Sequence, residues 1–140
     1  GLRTLQRAQA FLAQLALQDL GAAARLKAVV RWIMQMQYDG AMPSLPSENS
    51  TLRSVLTGDR AYVQLLMEVS EVLGGWIEQA QRDGDIDRRL PPDVVLFTLY
   101  ARACDPVLPI LKAGGQYERE QVFEWLLGTC FDGLAGPRQG

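Results

Sequence analysis

The sequence contains no histidine. That removes the commonest general base and the commonest metal ligand together. It also excludes helical di-iron proteins, whose ligand set needs Glu-x-x-His pairs. Cysteine is nearly as scarce: Cys104 and Cys130 both stand in apolar helical patterns. They read as buried free thiols, with a disulfide between the last two helices as the alternative. Two such residues without a histidine do not make a structural zinc site. No G-x-S-x-G elbow, phosphate-binding loop or G-x-G-x-x-G turn occurs. Asp83, Asp85 and Asp87 surround Gly84 but lack the later glycine and bidentate Glu of a calcium loop, and read as a solvated turn. Glu68 with Glu71, and Glu118 with Glu120, read as surface charges. The expectation is a protein that is not an enzyme and has no cofactor and no metal.

Long hydrophobic runs and strong charge of one sign are also missing. Charge or proline interrupts each apolar stretch before the ~18 residues of a membrane span. The N-terminal segment carries Arg3, Gln6, Arg7, Gln9 and Gln14, unlike a signal peptide. A cytoplasmic protein without membrane contact is expected. Net charge is −2, and the longest basic run is Arg88-Arg89, so no face is set to neutralise phosphates. Any DNA contact has to come from another domain. Gly1 opens directly into a helical pattern without an initiating Met, which suggests a fragment whose upstream portion is missing.

What is present is a 140-residue chain, 48% apolar and 21% charged, suited to one globular domain over 1–140. Its periodicity is helical throughout, with no convincing alternating strand. Residues 2–18 align Leu5, Ala8, Leu12 and Leu15. Residues 22–38 align Leu26, Val29, Val30, Ile33 and Met34 or Gln37, and Asp39-Gly40 stops them. The stretch AMPSLPSENS, 41–50, is the one long loop, followed by a short helix over 51–56. Asp59 can cap a long helix to about Asp83, striped by Tyr62, Leu65, Leu66, Val69, Val72, Leu73, Trp76, Ile77 and Ala80. Pro91-Pro92 opens the next helix, which runs to about Lys112 with Pro106 and Pro109 kinking or fraying its second half. A last helix spans about 118–134. The fold class is all-α, an antiparallel bundle of about six helices.

The last two helices carry more apolar surface than one bundle face needs. On one, Leu96, Tyr100, Ala103 and Val107 form one face, and Phe97, Ala101, Cys104 and Leu108 a second. On the other, Phe123, Trp125, Leu126, Leu127, Cys130 and Phe131 wrap most of the circumference. A helix apolar nearly all round has to be covered on both sides. Either a second copy supplies the second cover, making these helices a homodimer interface, or the helices are central in a monomeric bundle. Large, polarisable side chains elsewhere suit a pocket for a small apolar molecule. Trp32, Met36, Tyr62, Met67, Trp76 and Tyr100 are the candidates, although a Met or aromatic at helical spacing is more often plain core.

The segment WIEQAQRDGDIDRRLPPDVV, Trp76 to Val95, is similar to the junction between the seventh and eighth helices of TetR-family regulators. Further along come an apolar helix with Pro106 inside it, a glycine gap, a Glu-rich helix start and a closing Phe-Asp-Gly-Leu. Ser50 to Val69 resembles that family's short sixth helix leading into the seventh. Residues 2–38 look like its fourth and fifth, and its N-terminal helix-turn-helix is absent. The resemblance implies a two-fold dimer through the last two helices and a small, largely apolar effector held between helices. It also implies control of operator binding by the absent domain, through the first helix. A helical protein–protein interaction module without a small-molecule ligand is the alternative, and a helical carrier or enzyme a third.

Overall fold

The computed structural model describes residues 2–40 and 60–136, and among them the chain is helical with no strand. The helices are α1 (Leu2–Ala16), α2 (Ala22–Tyr38), α3 (Arg60–Arg82), α4 (Pro92–Ala103), α5 (Val107–Gly114) and α6 (Arg119–Asp132). The expected loop over 41–50, the short helix over 51–56 and the Asp59 cap lie outside the described residues.

Glycine and proline set the ends. Gly40, Gly84, Gly115 and Gly133 close α2, α3, α5 and α6 with positive φ, a backbone that side chains with a Cβ resist. The expected single helix from Pro92 to about Lys112 is instead two. Pro106 has no N–H to continue α4, and the Asp105 carboxylate accepts the Val107 N–H at 2.9 Å, so a new helix starts there. Pro109 then falls in the first turn of α5, where proline is tolerated, and causes no fraying. Taken through this break, Pro92–Gly114 spans 23 residues and is long and apolar enough to cross a membrane by length and composition. The Arg102–Asp105 ion pair, 3.5 Å, sits near its middle, where a hydrocarbon environment would be costly.

Helix α2 is the spine. It packs against each of the other five described helices, and its buried residues Leu26, Val29, Val30 and Met34 serve three hydrophobic clusters. Leu12 and Leu15 of α1 join Val29. Ile77 and Ala80 of α3, with Val95 of α4, join Ala22 and Leu26. Val30 and Met34 meet Ala103, Leu108, Val122, Phe123 and Leu126. Around the last cluster, Arg31 pairs with Glu120 and with Glu124, Arg119 pairs with Asp39 at 2.7 Å, and Lys112 donates to the Tyr38 carbonyl. Exposed pairs of this kind are worth about 1 kcal/mol or less each, so the buried apolar contacts dominate this end.

Two local clamps fix the connections. Gln81 is buried, and its amide donates to the carbonyls of Asp87 (3.0 Å) and Leu90 (2.8 Å), so one side chain shapes the turn from α3 to α4. Outside it, Arg89 donates from its backbone and guanidinium to the Asp87 carboxylate, holding that acid down to about 2. Arg25 of α2 donates to the carbonyls of Ala16 (3.3 Å) and Gln18 (3.0 Å) at the end of α1. Its guanidinium lies over the Trp76 ring of α3 at 5.4 Å.

Phe123→Ala removes the largest fully buried side chain and is expected to cost about 3–5 kcal/mol in urea unfolding. Gln81→Ala strips the Asp87 and Leu90 carbonyls of their donor and is expected to cost about 1–3 kcal/mol. A Gln81→Ala chain as stable as the parent would show that water replaces the clamp.

Candidate functional site

Where α2, α3 and α4 meet, the packing leaves a cleft of about 50 Å³. Helix α2 lines it with Leu26, Val29, Val30 and Ile33, and α3 with Leu73 and Ile77. Helix α4 closes it with Leu96, Leu99 and Tyr100. No charged side chain lines it, and the Tyr100 hydroxyl is its one polar side-chain group. In the wall contributed by α4, Val95 and Ala103 are the buried residues.

Tyr100 is 51% exposed and stands at the mouth of the cleft. Cys104 follows it one helical turn on. Burial pushes the phenol above its usual range, with Cys104 and the nearby Tyr62 phenol adding to the shift. The Cys104 thiol is also raised, by burial first and then by the Asp105 charge. Cys130 is raised chiefly by burial, with Asp105 adding and Arg102 opposing. Both cysteines are free and half-buried.

A second depression, about 150 Å³, opens between α1 and α3 over Leu12, Ala13, Ala16, Val69 and Val72. Gln9 donates to Glu68 across it at 2.7 Å. It is a surface groove with an apolar floor.

Of the pocket residues suggested by sequence, Tyr100 alone lines the cleft. Trp32 is stacked on Phe11, ring centroids 5.0 Å apart, and so closes the α1–α2 seam. Trp76 packs against the core and carries Arg25. Met36 is buried without lining cleft or groove, and Met67 is 58% exposed. Tyr62 is half-buried and is not among the residues that line the cleft. Trp32, Met36, Met67 and Trp76 thus stand outside the cleft, which is walled by Val, Leu and Ile with Tyr100 at its mouth. The signal for the true lining was the helical stripe itself, Leu26-Val29-Val30-Ile33 on α2 and Leu96-Tyr100 on α4.

The residues suggested for an interface divide. Leu108, Phe123 and Leu126 are buried within the protomer and have no surface for a partner, a correction with a simple cause: α2 and α5 cover that side of α6. Cys104, Leu127, Cys130 and Phe131 are half-buried against the same core. Phe97 (66%) and Ala101 are exposed, in line with Val94 on α4. Ile110 on α5 is 65% exposed, and Trp125 on α6 is exposed beside Tyr117, which it meets edge-to-face at 5.0 Å.

Among the described residues no three Cys, Asp or Glu side chains converge as metal ligands. No protein-family model, no curated protein and no solved structure matches the chain.

The raised thiols make a direct expectation. Iodoacetamide at pH 8 should alkylate Cys104 and Cys130 more slowly in the folded chain than in urea, with the rate climbing above the ordinary thiol range. Equal rates folded and unfolded would show that burial does not protect them.

Proposed function

We propose that this chain is the effector-sensing and homodimerising domain of a TetR-like transcriptional regulator, not an enzyme. Its DNA contact would come only through an N-terminal domain absent from this chain. One observation carries the reading: α4 is thin-walled between two apolar surfaces. Leu96, Leu99 and Tyr100 face the cleft, and Val94, Phe97 and Ala101 face outward without cover. A small apolar molecule entering the cleft has to displace α4, and α4 would carry the interface to the second copy. Filling the site then changes how two copies sit on each other, which is the coupling a dimeric repressor needs. The order of helices and the Trp76–Val95 junction chemistry support the family assignment.

Helix α1 would transmit the change to the DNA-reading domain, since Arg25 joins its last carbonyls to α2 and α3. The size of the cleft favours a second reading. At about 50 Å³ it is far below the ~300 Å³ of ordinary ligand sites, so a helical interaction module that uses only the exposed face also fits.

Sedimentation equilibrium tests the dimer. The parent chain is expected to self-associate, and Phe97→Asp to weaken association at least about tenfold, as removal of an interface anchor does, with its helical circular dichroism unchanged. A parent chain that stays monomeric at high micromolar concentration would remove the dimer from the proposal.

A further inference from the structure

The groove between α1 and α3 offers what the cleft does not, namely room. Its volume of about 150 Å³ is that of a protein cavity that takes one benzene ring, ~150 Å³. Leu12, which is buried, and Val69 form the floor, and Ala13, Ala16 and Val72 lead outward to solvent. Hydrocarbon seated on that floor is dried on its inner side and wet on its outer one.

Both helices also bring polar groups to one end of the groove. Gln9 and Glu68 are the first lining residues on their helices, and the Gln9 amide donates to Glu68 Oε2 at 2.7 Å. Gln64, one turn earlier on α3, donates to Glu68 Oε1 at 3.1 Å. Glu68 is half-buried, and among the described residues no Lys or Arg pairs with it. Asp39, Asp87, Asp105, Glu120 and Glu124 each have an arginine. Two neutral amides leave the Glu68 charge unanswered, and each of its oxygens keeps a lone pair for another donor. A neutral donor arriving there makes an ordinary hydrogen bond. A cationic donor makes a charge-assisted one of about twice the strength, and an anion is repelled.

We infer that the α1–α3 groove binds a small organic cation, a primary ammonium on a body of one hydrocarbon ring, with the ring on Leu12 and Val69 and the ammonium on Glu68. No residue lines both this groove and the α2–α3–α4 cleft, so the site stands apart from the sensing role.

The test is a methyl-resolved NMR titration of the whole chain with benzylammonium, benzyl alcohol and phenylacetate, one ring and one methylene with three tips. Benzylammonium is expected to shift the methyls of Leu12, Val69 and Val72 saturably. Those of Val30 and Leu96 in the cleft, and of Val122 and Leu126 in the core, should stay in place. Benzyl alcohol should bind about fivefold more weakly, the upper worth of a surface ion pair, and phenylacetate more weakly still. Glu68→Gln keeps the shape of the side chain and should bring benzylammonium to the affinity of benzyl alcohol, with helical circular dichroism unchanged. Ala13→Leu fills the groove and should abolish the shifts of Val69 and Val72 with every probe. An alcohol held as tightly as the ammonium, or a preference for ammonium that survives Glu68→Gln, overturns the assignment of a cation. Shifts that survive Ala13→Leu, shifts at the cleft methyls in place of the groove methyls, or no shifts at all overturn the site itself. None of these results bears on the dimer or the sensing role.

Discussion

Packing of five helices against α2 is the constraint from which the bundle follows. Five other helices lean on it, and none of the three clusters exists without one of its residues. A seventeen-residue helix offers about five turns, and here nearly every turn buries something: Ala22, Leu26, Val29, Val30, Met34, Met36. The cost of ordering so many side chains is met because each is shared between neighbours. The same arrangement explains why the cleft lies where it does. Where α3 and α4 both meet the spine, its aliphatic side chains and theirs leave the space between Val30, Ile77 and Leu99.

Much of the fold was legible in the order of residues. Gly40, Gly84 and Gly115 marked helix ends because the backbone there needs a left-handed turn. The stripes on α1, α2 and α3 marked their inner faces because burial repeats with the helical period. The break between α4 and α5 was legible only as a kink, since proline signals a missing N–H but not whether a side chain such as Asp105 will cap a fresh start. On α6 the sequence left two covers open, a second copy or a central place in the bundle. Apolar residues around a helix say that cover is needed, not who supplies it, and for Phe123 and Leu126 it is α2 and α5.

The site was less legible, and the cause is chemical. Pockets were sought among large aromatic and sulfur side chains, yet Trp32 and Trp76 are spent on seams, one stacked on Phe11 and the other under Arg25. Space remains where side chains are too short to fill it. Leu, Ile and Val at converging stripes therefore mark the cleft, and their sequence pattern cannot be told from ordinary core until three helices are placed together. Tyr100 was visible because a phenol in an otherwise aliphatic stripe has to keep its oxygen near water or a partner.

The Arg25 clamp has a mechanical consequence. Its guanidinium holds two carbonyls and an indole at once, a task for a planar fork that lysine cannot copy. It grips α1 at the C-terminal end, and two further ties lie upstream: Gln9 donates to Glu68 of α3, and Phe11 stacks on Trp32 of α2. Helix α1 is thus pinned to both neighbours through its second half, and only the turns before Gln9 stand beyond these ties.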